Sequence, residues 1–194
     1  PIAMFNAGNF KVIRKQTAEI AKLFTNSALE ITGTLLVGFL TDHFVAGRHS
    51  FSPSLSNWKK LIEEAVQFCQ EAETWLIEER FLISLQGNSS KALTSSMQCL
   101  LDNLEKDLDK ILESLCKTVS ETTENPVSHS SQGRTEVLLP AALAFIAKSD
   151  NKFLPGLTAA LNRGGEADKL GSLVGALAGA VHGYSSIPDP IKTG

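Results

Sequence analysis

Four glycines recur at every fourth position near the end of this chain: Gly171, Gly175, Gly179 and Gly183. The residues between them are small or apolar, in the run Gly-Ser-Leu-Val-Gly-Ala-Leu-Ala-Gly-Ala-Val-His-Gly. Four-residue spacing lines them up on one stripe of a helix. Glycine costs about 1 kcal/mol relative to alanine in a helix interior. A stripe of four therefore predicts a neighbour pressing close to that face. The longest apolar runs, Leu170 to Val181 and Ile31 to Leu40, are shorter than the roughly 18 residues of a membrane span. The stripe is accordingly read as tight packing in a helical core rather than as a membrane dimer motif. Just before it stand Gly164-Gly165 and two carboxylates, Glu166 and Asp168.

The rest of the chain reads as helix after helix. Phe10 to Phe24 is amphipathic, with Val12, Ile13, Ile20, Leu23 and Phe24 apolar and Lys11, Arg14, Lys15, Glu19 and Lys22 polar. Thr25-Asn26-Ser27 supplies cap chemistry for Ala28 to Ala46, which is apolar almost all round and so predicts a buried central helix. Gly47 to Ser56 is a loop, Trp58 to Leu85 a long helix or two joined ones, and Gln86 to Ser90 a turn. Lys91 to Val119 reads as one further long helix. Residues 120–135 form a polar, Ser/Thr-rich loop. Two short helices follow, Glu136 to Lys148 with Pro140 near its start and Asp150 to Asn162. Beyond the glycine stripe, Ser185 to Gly194 is a Pro-punctuated tail. No alternating pattern of useful strand length appears. The expectation is an all-α, orthogonal multi-helix bundle, residues 1–194 forming a single domain.

Charge and cysteine usage exclude several classes. With 18 Lys+Arg against 21 Asp+Glu and a net charge of -3, there is no electrostatic reason to expect nucleic acid or an anionic membrane. Cys69, Cys99 and Cys116 are too scattered for a disulfide framework or a zinc site, and predict a reducing, cytoplasmic setting. No signal peptide is visible. The chain starts at Pro1 without an initiator methionine, as a piece of something longer would.

Glu166 and Asp168 are the candidate metal ligands. Two apart on a helix they would diverge, but in a Gly-Gly loop entering a helix they can converge on a hard cation such as Mg²⁺. The plainer reading is two solvated acids favoured by the positive end of the helix dipole. The histidines His43, His49, His129 and His182 show no ligand spacing; His43 and His182 end apolar helices. Asp42 beside His43 is not expected to converge with it. Ser128 to Gly133 lacks the glycines and lysine of a phosphate loop and reads as a linker.

The residues from Asn162 to Lys169, then Gly175-Ala-Leu-Ala-Gly-Ala and Ile187-Pro188, resemble the C-terminal signature of the ADP-ribosylglycohydrolases, Gly-Gly-Asp-x-Asp-Thr followed by Gly-Ala-x-x-Gly-Ala and Ile-Pro. Leu139-Pro-Ala-Ala-Leu-Ala-Phe145 is similar to that family's Val-Pro-Ala-Ala-Leu-x-x-Phe. Thr25-Asn26-Ser27 is a weaker likeness to its Thr-His. The close likeness spans Val137 to Pro188, the weak one Pro1 to Ala46, as the C-terminal half to two-thirds of such a domain. The resemblance implies an all-helical, Mg²⁺-dependent hydrolase of ADP-ribosyl N- or O-glycosidic bonds, acting on an ADP-ribosylated protein or a small ADP-ribosyl compound. It makes Glu166 and Asp168 metal ligands and places Lys169 where the family has a ligand threonine. The family's other acidic motifs, Gly-Asp-x-x-Gly and Thr-Asp-Asp-Thr, do not occur in these residues. Two rival readings stand beside the hydrolase. One is a non-enzymatic relative, as with the jellyfish lens crystallins of the family. The other is an interaction module that docks through its Trp58 to Val119 helices.

Overall fold

A computed structural model describes residues 1–47, 51–83, 90–123, 125–150 and 152–192. The helices are α1 (Ile2–Phe5), α2 (Phe10–Lys22), α3 (Ala28–Ala46), α4 (Leu55–Glu78), α5 (Lys91–Asn103), α6 (Leu108–Thr123), α7 (Thr135–Ala147), α8 (Phe153–Leu161), α9 (Ala167–His182) and α10 (Asp189–Lys192), with one 3₁₀ turn at Tyr184–Ser186. No strand occurs among the described residues, and the all-α expectation holds. His49 and the turn at 86–89 lie outside them.

The central helix is α3, with the bounds its pattern predicts. Ser27 caps it, its hydroxyl accepting from the Glu30 amide at 3.4 Å. By length and apolarity it would suit a membrane span. In this fold α1, α2, α4, α5, α7 and α9 pack against it. Its glycines mark close approaches. A Cβ at Gly33 would collide with the Thr135 methyl at the start of α7, and at Gly38 it would stand 3.4 Å from Ile13 of α2. On α2, Arg14 leaves its assigned polar face to stack 4.1 Å over the Trp75 ring of α4, and burial lowers its pKa.

Several boundaries differ from the sequence pattern. The helix expected over Trp58 to Leu85 starts earlier, at Leu55, and ends at Glu78. The single helix over 91–119 is in fact a hairpin of α5 and α6. Asn103 ends α5, its side-chain amide donating to the Cys99 carbonyl at 2.7 Å, and the Lys106 amide closes a turn on the Asn103 carbonyl at 2.9 Å. A straight helix over that stretch would be about 44 Å long. Folding it back lets Leu100 and Leu104 share one core with Ile111 and Leu115. The polar loop is also shorter than 120–135, because α6 continues to Thr123 and α7 opens at Thr135. Pro140 is therefore the sixth residue of α7, past the first turn. It removes one donor from a helix whose residues are mostly buried.

The apolar faces of α4, α5 and α6 are spent inside this core: Trp58, Leu61, Leu76, Leu93 and Leu112 are all buried. The glycine stripe packs on α8 as expected, but the fit loosens along its length. A Cβ at Gly171 would overlap Leu161, at Gly175 it would be 3.6 Å from Leu157, and at Gly179 4.0 Å from Phe153.

Two alanine substitutions should therefore differ in sign. Gly179→Ala removes a helix-interior glycine without a clash and should stabilise by about 0.5–1 kcal/mol. Gly33→Ala displaces Thr135 against Leu139 and should destabilise by about 1–3 kcal/mol. Urea unfolding of the two variants beside the parent decides it.

Candidate functional site

The candidate site lies at the head of α9, built by two loops that run side by side. Gly164 (φ +79) and Gly165 (φ +63) take left-handed backbone that a Cβ would strain. They turn the chain so that Glu166 becomes the N-cap residue and Asp168 falls in the first turn. The second loop is 128–134. Its side chains and amides meet the first at a constant offset of 33 residues: Arg163 Nε to Ser130 Oγ (3.3 Å), Ser131 Oγ to the Gly164 carbonyl (2.6 Å) and the Gly133 amide to Glu166 Oε1 (2.9 Å). The linker of the sequence reading is thus a docked partner of the Gly-Gly turn. Ser130 and Ser131 are buried within it.

Each member of this seam has further support. His129 Nδ1 lies 2.6 Å from Ser131 Oγ, and a Cβ at Gly165 would stand 3.0 Å from that nitrogen. Arg163 also donates to Asp109 of α6 at 2.8 Å. One residue beyond Gly133, the Arg134 guanidinium reaches Glu136 Oε1 at 2.6 Å and Thr123 Oγ1 at 3.1 Å. Glu136 is only 3% exposed, so the pair fastens the head of α7 to the end of α6 from inside. None of Ser131, Gly133, Arg134 or Arg163 is distinguished by the local pattern. The offset of 33 joins Ser131, Gly133 and Arg163 to the seam, and Arg134 stands next to it.

Electrostatics centre on Glu166. Its Oε2 pairs with the Lys169 ammonium, one helical turn on. The Lys169 hydrogen bond, then the Gly133 amide, hold the Glu166 carboxyl below the usual carboxylate range. In return the Glu166 contact raises the Lys169 pKa, and Asp168 adds a through-space attraction. Both partners of the pair are about half exposed, so solvent screens it. Asp168 itself is exposed.

The ADP-ribosylglycohydrolase family profile matches residues 1–194, including the middle helices where motifs are weak. The chain belongs to the ADP-ribosylglycohydrolase family. No curated protein and no solved structure gives a significant match.

The metal dependence general to the ADP-ribosylglycohydrolases can be tested against this donor set. Mg²⁺ requires near-octahedral oxygen at roughly 2.0–2.1 Å. Among the described residues no group of three or more His, Cys, Asp and Glu gathers around one point. Of the two acids at the head of α9, Glu166 already has both oxygens engaged by donors. Lys169 has donors only and adds no ligand. The residues present do not fit the ion.

The remaining candidates disperse. Asp42 accepts from the Gly8 amide at 2.7 Å, while His43 faces Glu64 at 4.0 Å, so these neighbours do not act together. Cys116 and His129 line a cleft of about 410 Å³ with Arg163, but burial raises the Cys116 pKa and keeps its thiol protonated. His182 ends α9, its Nε2 is buried without a hydrogen-bond partner, and burial lowers its pKa.

Two predictions follow from this geometry. Arg134→Ala strands the buried Glu136 and should destabilise by about 2–3 kcal/mol, somewhat below a fully buried pair because the arginine is partly exposed; chemical denaturation gives the value. The His182 shift also has a definite sign. Its folded pKa lies below the unfolded value of 6.5, so its contribution is present above pH 6.5 and is lost as pH falls from there towards the folded pKa. Melting curves between pH 7 and 5 should show this loss in the parent and a smaller one in His182→Leu.

Proposed function

We propose that this chain is a non-hydrolytic member of its family, a structural or binding protein that keeps the helical core and the vestige of a metal-binding head on α9. The observation that carries this reading is the Lys169 ammonium on Glu166. It places a fixed positive charge against the first of the two acids that, by resemblance, bind metal. The acid that remains, Asp168, is exposed, and among the described residues no group of three or more possible ligands gathers with it.

The alternative is a Mg²⁺-dependent hydrolase of ADP-ribosyl bonds on proteins or small compounds. What favours it is position: Glu166 and Asp168 both stand at the start of α9, where the family signature has its acids. Three free cysteines suit a reducing, cytoplasmic setting under either reading.

A release assay separates the two. The chain is incubated with ADP-ribosylated protein and with a small ADP-ribosyl compound, with and without Mg²⁺. The expected result is no turnover above buffer, unchanged in Glu166→Ala and Asp168→Ala. Mg²⁺-dependent release that either substitution abolishes would establish the hydrolase instead.

A further inference from the structure

We infer that Lys169 closes the head of α9 to divalent cations, its ammonium holding the position at Glu166 that a metal would need. This rests on the non-hydrolytic reading and deepens it by naming the residue that enforces it. Three observations converge. Glu166 offers two oxygens and both are engaged, Oε2 by the Lys169 ammonium and Oε1 by the Gly133 amide at 2.9 Å. The loop backbone covers the pair from one side, since a Cβ at Gly133 would lie 2.5 Å from Glu166 Oε2 and 2.8 Å from Lys169 Nζ. Among the described residues the other acid at this head is the exposed Asp168, and it draws on the same ammonium.

Magnitudes favour the ammonium. Mg²⁺ sheds its water reluctantly, and two acids without a third ligand hold it weakly. The lysine is tethered three residues away, at an effective concentration of millimolar or more. It competes continuously with free metal, and the helix sets its distance from Glu166 at the i,i+3 spacing. A half-exposed ion pair is weak in absolute terms. It need only exceed an incomplete metal site.

The test uses Mn²⁺ as a paramagnetic probe of the whole chain. Amide signals of Gly133, Glu166 and Asp168 are followed on titration to millimolar Mn²⁺ in the parent, Lys169→Thr and Lys169→Met. Excess Mg²⁺ then checks for reversal. In the parent these signals should broaden no more than that of a lone surface acid such as Glu113. In both variants they should broaden at about tenfold lower Mn²⁺, the gain expected from removing a tethered competitor. Unchanged signals elsewhere confirm that the variants are folded. Equal broadening in parent and variants overturns the inference, and so does none in any of the three. Failure of the functional reading is distinct. In the parent, turnover without Mn²⁺ at these amides overturns only that reading, and Mn²⁺ at these amides without turnover overturns only the inference.

Discussion

The fold depends on burying α7. Ten of its thirteen residues, among them Val137, Leu139, Leu143, Phe145 and Ile146, are buried, so it has no solvent face to orient it. A helix apolar all round must be enclosed by other helices, and α3, α5, α6, α8 and α9 all lie against it. Its one charged buried residue, Glu136, sits in the first turn, where the helix dipole favours an anion. Arg134 neutralises it and reaches back to Thr123 at the end of α6. The chain between α6 and α7 is therefore anchored at its far end by an ion pair whose carboxylate is buried. This fixes the direction in which the 128–134 loop leaves, and brings it across the Gly164-Gly165 turn.

Much of this was legible in the residues, and the limits of that reading are physical. The pattern located α2, α3 and α9 because each carries its own evidence: one apolar face, a serine cap, a glycine stripe. It joined α5 to α6 because Leu100, Leu104 and Leu108 continue a helical spacing through the break. Only a turn held by the Asn103 side chain stops the helix, and asparagine is tolerated within helices often enough to hide such a stop. At the site, Glu166, Asp168 and Lys169 could be named from the signature. The Ser130, Ser131 and Gly133 contacts could not, since each bond spans 33 residues and no local spacing encodes it.

The seam between the two loops accounts for the glycines on both sides. Gly165 takes positive φ and also faces Ser131 and His129 with no room for a side chain, so two constraints coincide there. Gly133 has only the second: its neighbours are the Glu166 carboxylate and the Lys169 ammonium. A net contribution of about 1 kcal/mol per hydrogen bond makes the three cross-loop bonds comparable to one buried aliphatic side chain. They align the loops, while α7 and α9 supply the stability that lets them form.

The ion pair at the head of α9 follows from that alignment. Once Gly164 and Gly165 set Glu166 as the N-cap residue, position 169 lies one turn further along the same face of the helix. A short hydroxyl side chain there would offer an oxygen near the acid and leave its charge uncompensated. A lysine reaches across the turn and supplies the compensating charge itself. The signature around Gly164 and Gly165 thus keeps its structural role, with the glycine turn, the small-residue helix and the docked loop all intact. That compensating charge comes from an exposed side chain at the head of the helix, so it draws nothing from the buried core.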